Sequence, residues 1–254
     1  MISAITVQRV EINEILIFKN YRIEIMEKRN QLAGVVIVVK NGERFVRSAL
    51  ESVLNQDYKP FKVIVVDGNS EDNTLQIVKE FREVEILQQK GSGIYDAFNI
   101  GIKACNAPFI ALLSSDDIWL SNKLSSQISY MMENPDVLFT NTFFRFFLEP
   151  GIEVPEGVRS DWLNRSLPGR FPETLVARKE AFEAIGYFNN EYSSAEDLDW
   201  FGRATDFGIQ SFMMDDVLLR KRIHDSNVSM QIESNNRNLL KILRRSVNRK
   251  NHLG

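Results

Sequence analysis

Two adjacent carboxylates, Asp116 and Asp117, follow an apolar run from Pro108 to Leu113. The run reads as a buried strand, and the end of such a strand in an α/β protein is where ligands bind. Paired carboxylates there can hold a hard divalent cation, and such a cation can grip a diphosphate. The pair could equally cap a helix by satisfying its first N–H groups. Three further clusters bear on that choice. Asp67-Gly68-Asn69-Ser70 ends another apolar run and suits either a polar ligand group at the sheet edge or a plain turn capped by Ser70. Glu196-Asp197-Leu198-Asp199-Trp200 crowds three carboxylates into four residues. Their mutual repulsion must be offset by a site or by a solvated helix N-terminus. Arg220-Lys221-Arg222-Ile223-His224 joins three positive charges to an imidazole and suits a diphosphate, a metal or a solvated basic strand. His224 is one of 2 histidines, which excludes a His-rich metal site. Together the clusters make chemical sense: a metal at Asp117 would neutralise a diphosphate leaving group, with basic residues assisting. A separate carboxylate would then deprotonate an incoming hydroxyl.

The elements that must position these groups follow from periodicity. Val35 to Val39 is a β-branched run, hence a strand buried on both faces. Glu43 to Gln56 places Phe45, Val46, Ala49, Leu50, Val53 and Leu54 on one helical face. Strands are expected at Phe61 to Val66, Val84 to Leu87, Pro108 to Leu113, Val137 to Phe147 and Thr174 to Ala177. Helices are expected at Ser70 to Arg82 (capped by Ser70 or Asp72), Ile94 to Ala104, Ser121 to Glu133 and Lys179 to Ile185. Alternating strand and helix implies right-handed βαβ units and a parallel sheet, so the first part of the chain forms a Rossmann-like half. Gly91-Ser92-Gly93 lacks the third glycine and the spacing of a dinucleotide fingerprint, which argues against a nicotinamide or flavin cofactor. Past Glu149 the stretch is punctuated by Pro150, Gly151, Pro155, Gly157, Pro168, Gly169 and Pro172 and reads as irregular.

Composition sets the outer bounds. The 254 residues are 44% hydrophobic and 26% charged, enough for a packed core. A net charge of −3 argues against a nucleic-acid partner. The single Cys105 excludes an internal disulfide and a Cys-rich zinc site, and its expected role is packing on a helix. No apolar run approaches the ~18 residues needed to cross a bilayer. Glu11, Glu14, Glu24 and Glu27 interrupt the first thirty residues, so they do not read as a signal peptide, and the chain reads as cytoplasmic or facing the cytosol.

Several motifs, in order, carry a resemblance: Val35 to Asn41, Ser52 to Gln56, Val65 to Thr74, Gly93 to Ile102, Ser115 to Trp119, Gly186 to Asn189, Glu196 to Trp200, and Arg222 to Ser229. Across Gly34 to Met230 the chain resembles the inverting nucleotide-sugar glycosyltransferases of family 2, WcaA-like members with the GT-A fold. The resemblance implies an α/β GT-A fold, with a mostly parallel twisted sheet flanked by helices and a mixed C-terminal acceptor-side portion. Residues 33–145 would be the nucleotide-sugar-binding half and 146–230 the acceptor-side half of the same domain. It implies Mn²⁺ or Mg²⁺ as cofactor, a nucleotide-diphosphate sugar (UDP-sugars favoured) as donor, a glycan or lipid-linked acceptor, and a place in bacterial surface-glycan synthesis. Carried over by position, Asp67, Gly93 and Asp96 would line the nucleotide-sugar pocket. Asp116 would face ribose and diphosphate, and Asp117 would coordinate the metal. Asp197 would be the general base, with Glu196 beside it. Glu196, Asp199 and Trp200 would shape the acceptor side, and His224 with Arg222 would reach the metal or diphosphate. The chain departs from the family at Gly68, where many members carry a second acid, at Val38-Val39-Lys40-Asn41, and at Ala97-Phe98-Asn99. Lys40 could sit near a phosphate or point to solvent.

Both ends stand apart. Residues 1–32 alternate loosely at Ile2 to Val10 and Tyr21 to Ile25, as a hairpin or appended strand pair would. Residues 231–254 read as a basic amphipathic helix, with Arg237, Lys241, Arg244, Arg245, Arg249 and Lys250 around a stripe of Leu239, Leu240, Ile242, Leu243 and Val247. Such a helix can lie on an anionic membrane surface, pack on its own domain or pair in a homodimer. Gly68 also leaves open an inactive GT-A domain that binds nucleotide or glycan as a scaffold. A nucleotidyltransferase would want a Gly-rich, Arg-bearing phosphate loop after the first strand, and Val38 to Gly42 is not one.

Overall fold

The computed structural model describes residues 32–154, 159–192, 195–225, 227 and 241–249. The expected strand pair at the N-terminus, and the tail on either side of 241–249, lie outside the described residues. Among the described residues the chain threads nine strands into one sheet. Strand β1 (Ala33–Val39) is buried along its whole length, as its β-branched run requires. It pairs in parallel with β2 (Phe61–Asp67) and β4 (Phe109–Ser114), and β2 pairs in parallel with β3 (Val84–Gln88). The order 3-2-1-4 opens a crevice at the carboxyl ends of β1 and β4, where the chain reverses its direction across the sheet. Beyond β4 the sheet turns mixed. Strand β8 (Val176–Arg178) runs antiparallel to both β4 and β6 (Phe139–Leu148). Strand β9 (Ser211–Ile223) runs parallel to β6, and β5 (Ile118–Trp119) pairs antiparallel with β9. A short β7 (Leu167–Pro168) adds to the free part of β6. Strand β6 spans residue 145, so the two halves read from sequence share one sheet.

Helices cover both faces. On one, α1 (Val46–Leu54) and α4 (Lys123–Glu133) pack on Val35, Ile37 and Val39. On the other, α3 (Ile94–Ala104), α5 (Lys179–Ile185) and α6 (Glu196–Asp206) pack on Val36 and Val38. Gly101 lets α3 settle onto the sheet, because a Cβ there would strike Val36. Cys105 is buried at the end of α3, in the packing role its single occurrence suggested.

Two elements differ from the periodicity. The helix expected at Ser70 to Arg82 shrinks to α2 (Thr74–Val78). Its upstream residues instead bond the loop after β1: Asn41 N–H donates to Ser70 Oγ (2.9 Å), Gly42 N–H to Thr74 Oγ1 (2.8 Å) and Glu43 N–H to Asp72 Oδ2 (3.0 Å). Short polar side chains that can bond backbone elsewhere compete with helix. Strand β9 was legible only at its basic end. Asp215 and Asp216 break its alternation, and the register with β6 skips both, from Thr142↔Met214 to Phe143↔Val217. They form an exposed bulge.

The last described helix, α7 (residues 241–249), packs on its own domain. Ile242 is buried with Tyr192 and Ala195. Ser246 Oγ and Arg249 Nε bond the two oxygens of Asp206 (2.7 and 2.8 Å), and Arg245 pairs with Glu191 (3.1 Å). Leu243 and Val247 remain exposed. Among the described residues no helix is long and apolar enough to cross a membrane.

Candidate active site

The crevice at the carboxyl ends of β1, β2 and β4 gathers most of the polar clusters. Asp67 closes β2 and is fully buried. Its Oδ2 accepts Ser70 N–H (3.1 Å) and Gln88 Nε2–H (2.9 Å), while Oδ1 has no hydrogen-bond partner among the described residues. A buried acceptor without a donor is costly unless a ligand supplies one. A Cβ on Gly68 would lie 3.1 Å from both Lys40 Cβ and Gln89 Oε1, so an acid there would need those neighbours to give by a few tenths of an ångström. Lys40 itself is exposed. Gly93 (φ 90°) precedes α3, and its carbonyl and Asp96 Oδ2 both accept from Gln89 Nε2 (2.9 Å each). Gly93 and Asp96 therefore fix the entry to α3.

The acid pair divides. Asp117 is 0% exposed, and its two oxygens are taken by Arg222 N–H (2.9 Å) and Lys221 Nζ (3.0 Å). Burial raises its carboxyl to about 7, against the pull of Lys221. Burial works against the Lys221 ammonium too, but the carboxylates of Asp117, Glu173 and Asp116 outweigh it and raise its pKa. Asp117, expected as the metal ligand, is thus enclosed in the protein. The carboxylate open to a ligand is Asp116, whose side chain is 27% exposed. Its Oδ2 lies 3.1 Å from His224 Nε2 and 3.4 Å from Asn227 Nδ2. Burial opposes the Asp116 charge, but the His224 hydrogen bond and the Lys221 charge hold its pKa below the usual range.

Arg222, expected at the diphosphate, has each of its guanidinium nitrogens engaged. Nε donates to Asp116 O (2.8 Å), Nη1 pairs with Glu149 and Nη2 donates to Ser48 Oγ (3.2 Å). The guanidinium sits between the rings of Phe45 and Phe147, 4.7 and 4.6 Å from their centroids. It ties the end of β9 to α1. Lys221, pointing to the other side of the strand, carries the positive charge into the acid cluster.

Across the crevice, Glu196 and Asp197 open α6, where the helix dipole favours anions. Glu196 Oε2 accepts Ala195 N–H (2.9 Å) and Asp197 Oδ1 accepts Leu198 N–H (2.8 Å). Half-buried Asp197 is raised to about 6, chiefly by burial and then by the charge of Glu173; the Leu198 N–H and a hydrogen bond from Tyr95 act the other way. Burial, together with Asp197, Glu173 and Glu196, raises the Tyr95 phenol well above its ordinary value, so it stays a neutral donor. Asp199 and Trp200, expected on the acceptor side, are core residues instead. Asp199 is 2% exposed and pairs with Arg203 (2.8 Å). Trp200 is fully buried among Phe139, Phe182 and Phe188, and its indole N–H donates to Gly186 O (2.8 Å). The helical period that faces Asp197 to the crevice turns the residues two and three positions on toward the sheet.

Sequence reasoning missed three participants. Glu173 lies in a 3-10 turn (Pro172–Thr174) after β7, and its Oε1 accepts from Ser114 Oγ (2.5 Å) and lies 4.0 Å from Lys221 Nζ. A lone Glu in a Pro- and Gly-punctuated stretch carries no local signal. Lys221 and Tyr95 lay inside clusters already singled out, but only the folded chain shows what each touches. Among the described residues no three His, Cys, Asp or Glu side chains are grouped to hold a metal unaided. Asp116 Oδ2 and His224 Nε2 offer an oxygen and a nitrogen side by side, which fits a cation completed by ligand oxygens.

An α/β sheet in the order 3-2-1-4 with a mixed extension, and with a buried orphan acceptor closing β2 and carboxylates beyond β4, defines a GT-A-like fold. Residues 34–186 match the family described as Glycosyl transferase family 2, and the chain belongs to that family. It is similar to the UDP-Glc:alpha-D-GlcNAc-diphosphoundecaprenol beta-1,3-glucosyltransferase WfgD of Escherichia coli, at 37% identity over 106 residues, which is 41% of this chain and 42% of that protein. The fold matches S. aureus TarS in complex with UDP-GlcNAc, with a TM-score of 0.67 at 20% identity over 85% of this chain and 66% of that one. It also matches glucosyl-3-phosphoglycerate synthase of Mycobacterium tuberculosis in complex with Mn²⁺, UDP and phosphoglyceric acid, with a TM-score of 0.63 at 15% identity over 86% of this chain and 79% of that one. Uncharacterized glycosyltransferases of Rickettsia are matched over between 18% and 66% of their own length.

Proposed function

We propose that the protein is an inverting glycosyltransferase that moves a sugar from a nucleoside-diphosphate donor, a UDP-sugar foremost, to an acceptor hydroxyl. One link supports the reading: Glu173 acts on both Lys221, which neighbours Asp116 beside His224, and Asp197, a carboxylate raised to about 6. Asp67 Oδ1 would accept an N–H of the nucleobase. Asp116 and His224 would hold Mn²⁺ or Mg²⁺, which when bound neutralises charge on the diphosphate. Charge balance supports that cation: Asp116, Asp117 and Glu173 surround Lys221, so carboxylates outnumber the ammonium even before a diphosphate arrives. Asp197 would take the proton of the acceptor hydroxyl as that oxygen bonds the anomeric carbon from the face opposite the diphosphate. The bond from that carbon to the diphosphate oxygen breaks with inversion. Glu196 would hold the turn that presents Asp197.

A scaffold domain has no use for a carboxylate tuned toward neutral pH, which favours the enzyme over the binding-only alternative. The diphosphoundecaprenol acceptor named for the E. coli relative supports a lipid-linked glycan as acceptor and a role in surface-glycan synthesis at the cytosolic membrane face. Leu243 and Val247, exposed on α7, are available for that membrane contact. The test is nucleotide-sugar turnover with Mn²⁺, paired with calorimetry of nucleoside diphosphates. Asp197→Asn should abolish transfer and keep nucleotide binding; full activity in that variant would remove Asp197 as the base.

A further inference from the structure

We infer that Glu173 reads the hydroxyls of the transferred sugar and selects neutral hexosyl donors over acidic ones. The inference rests on the proposed function, because it names a residue of the same site. A sugar in transit has to lie between the diphosphate-side groups, Asp116, His224 and Lys221, and the base Asp197. Glu173 borders both. Its Oε1 lies 4.0 Å from Lys221 Nζ, which in turn is 3.0 Å from Asp117 Oδ2. Its charge also reaches Tyr95 and Asp197 on the opposite wall.

The carboxylate is also held ready. Trp119 Nε1–H donates to the Glu173 carbonyl (3.0 Å). The next residue, Thr174, bonds Gly169 O and Phe171 O (3.0 Å each) and accepts from Asn141 Nδ2 (2.9 Å). Ser114 and the approach of Lys221 both fall on Oε1, and no hydrogen bond among the described residues falls on Oε2. The side chain is largely buried, 9% exposed, so its carboxylate is held in a fixed place. A fixed carboxylate with a spare oxygen accepts well from a sugar hydroxyl and repels a uronate. In the proposed mechanism Asp116 and Asp197 act on the diphosphate and the acceptor, parts that all donors and acceptors share.

The experiment measures kcat/KM for hydrolysis of UDP-glucose, UDP-galactose, UDP-N-acetylglucosamine and UDP-glucuronate with Mn²⁺, using the full chain and its Glu173→Gln and Ser114→Ala variants. Calorimetry with UDP and melting temperatures run alongside. The unaltered chain should reject UDP-glucuronate. In Glu173→Gln the ratio of neutral to acidic donor should fall by about tenfold or more, the scale of one charged hydrogen bond, while UDP affinity stays within about twofold. Ser114→Ala, which frees the carboxylate without removing it, should loosen the same ratio less. Unchanged donor ratios with intact UDP binding would overturn the role of Glu173 alone. A full chain that binds no nucleoside diphosphate would overturn the function beneath it.

Discussion

Replacing Tyr95 by phenylalanine should move the acidic limb of the pH–rate profile upward by about one unit. Asp197 acts as a base only when ionised, and its pKa of about 6 makes it about nine-tenths ionised at pH 7 and about one-tenth at pH 5. The Tyr95 hydroxyl is one of the contacts that favour the ionised form. A hydrogen bond to a charged group is worth about 1.5 kcal/mol, or about one pKa unit. Phenylalanine keeps the ring that packs 5.1 Å from Phe188 and 6.3 Å from Phe98, so the change is confined to the hydroxyl. The expected limb in Tyr95→Phe is therefore near pH 7, with nucleotide affinity unchanged. The stability sign is independent of the kinetics. An acid whose folded pKa lies above its unfolded value of 3.8 costs stability as pH rises from that value through about 6. Asp197→Asn should accordingly be more stable at pH 7, by about 1 kcal/mol once partial exposure is discounted. The assay is kcat/KM for nucleotide-sugar turnover between pH 5 and 9, with urea unfolding at both ends. A Tyr95→Phe limb within about 0.2 units of the unaltered one, or a shift downward, would refute the reasoning.

Three further outcomes follow from the same geometry. Lys221→Met should destabilise by leaving the buried Asp117 carboxylate without its ammonium, and Asp117→Asn by removing the nearest carboxylate from Lys221; the double variant should recover about 1–3 kcal/mol of the summed loss in a urea-unfolding cycle. Additive losses would show that the 3.0 Å pair is not coupled. Asp116→Ala and His224→Ala should each lose the Mn²⁺-dependent part of nucleoside-diphosphate binding by calorimetry and keep the metal-free part; an unchanged metal dependence would move the cation elsewhere. Arg203→Ala should lower stability by about 3 kcal/mol, because it strips Asp199 of its partner and the carbonyls of Ile185 and Tyr187 of a donor. A melting temperature equal to that of the unaltered chain would contradict the buried pairing.

Much of the frame was legible because it depends on local periodicity. The β-branched run at Val35 to Val39 admits only a doubly buried strand, and α3 and α5 begin and end where their apolar spacing does. The legibility fails where polar side chains choose between local and distant partners. Ser70, Asp72 and Thr74 look like the start of a long helix, yet they bond the backbone of residues 41–43 and shorten it. Asp215 and Asp216 hide β9 because a bulge absorbs two residues without ending the strand.

The site divides on the same line. Residue types and spacing alone determined that carboxylates stand at strand ends in a Rossmann-like half, with an acid pair at a helix start and a basic strand to follow. That much follows from hydrophobic period and chain order. Only the tertiary structure decided which group of each cluster is available. Asp117 and Arg222 are consumed by partners more than a hundred and more than seventy positions away, respectively, leaving Asp116, 27% exposed, as the accessible acid. Asp199 and Trp200 turn into the core while Asp197 meets Tyr95. Glu173 enters from a turn with no signature of its own. Burial and pairing are properties of what surrounds a side chain, and for every one of these residues the surroundings come from elements distant in the chain.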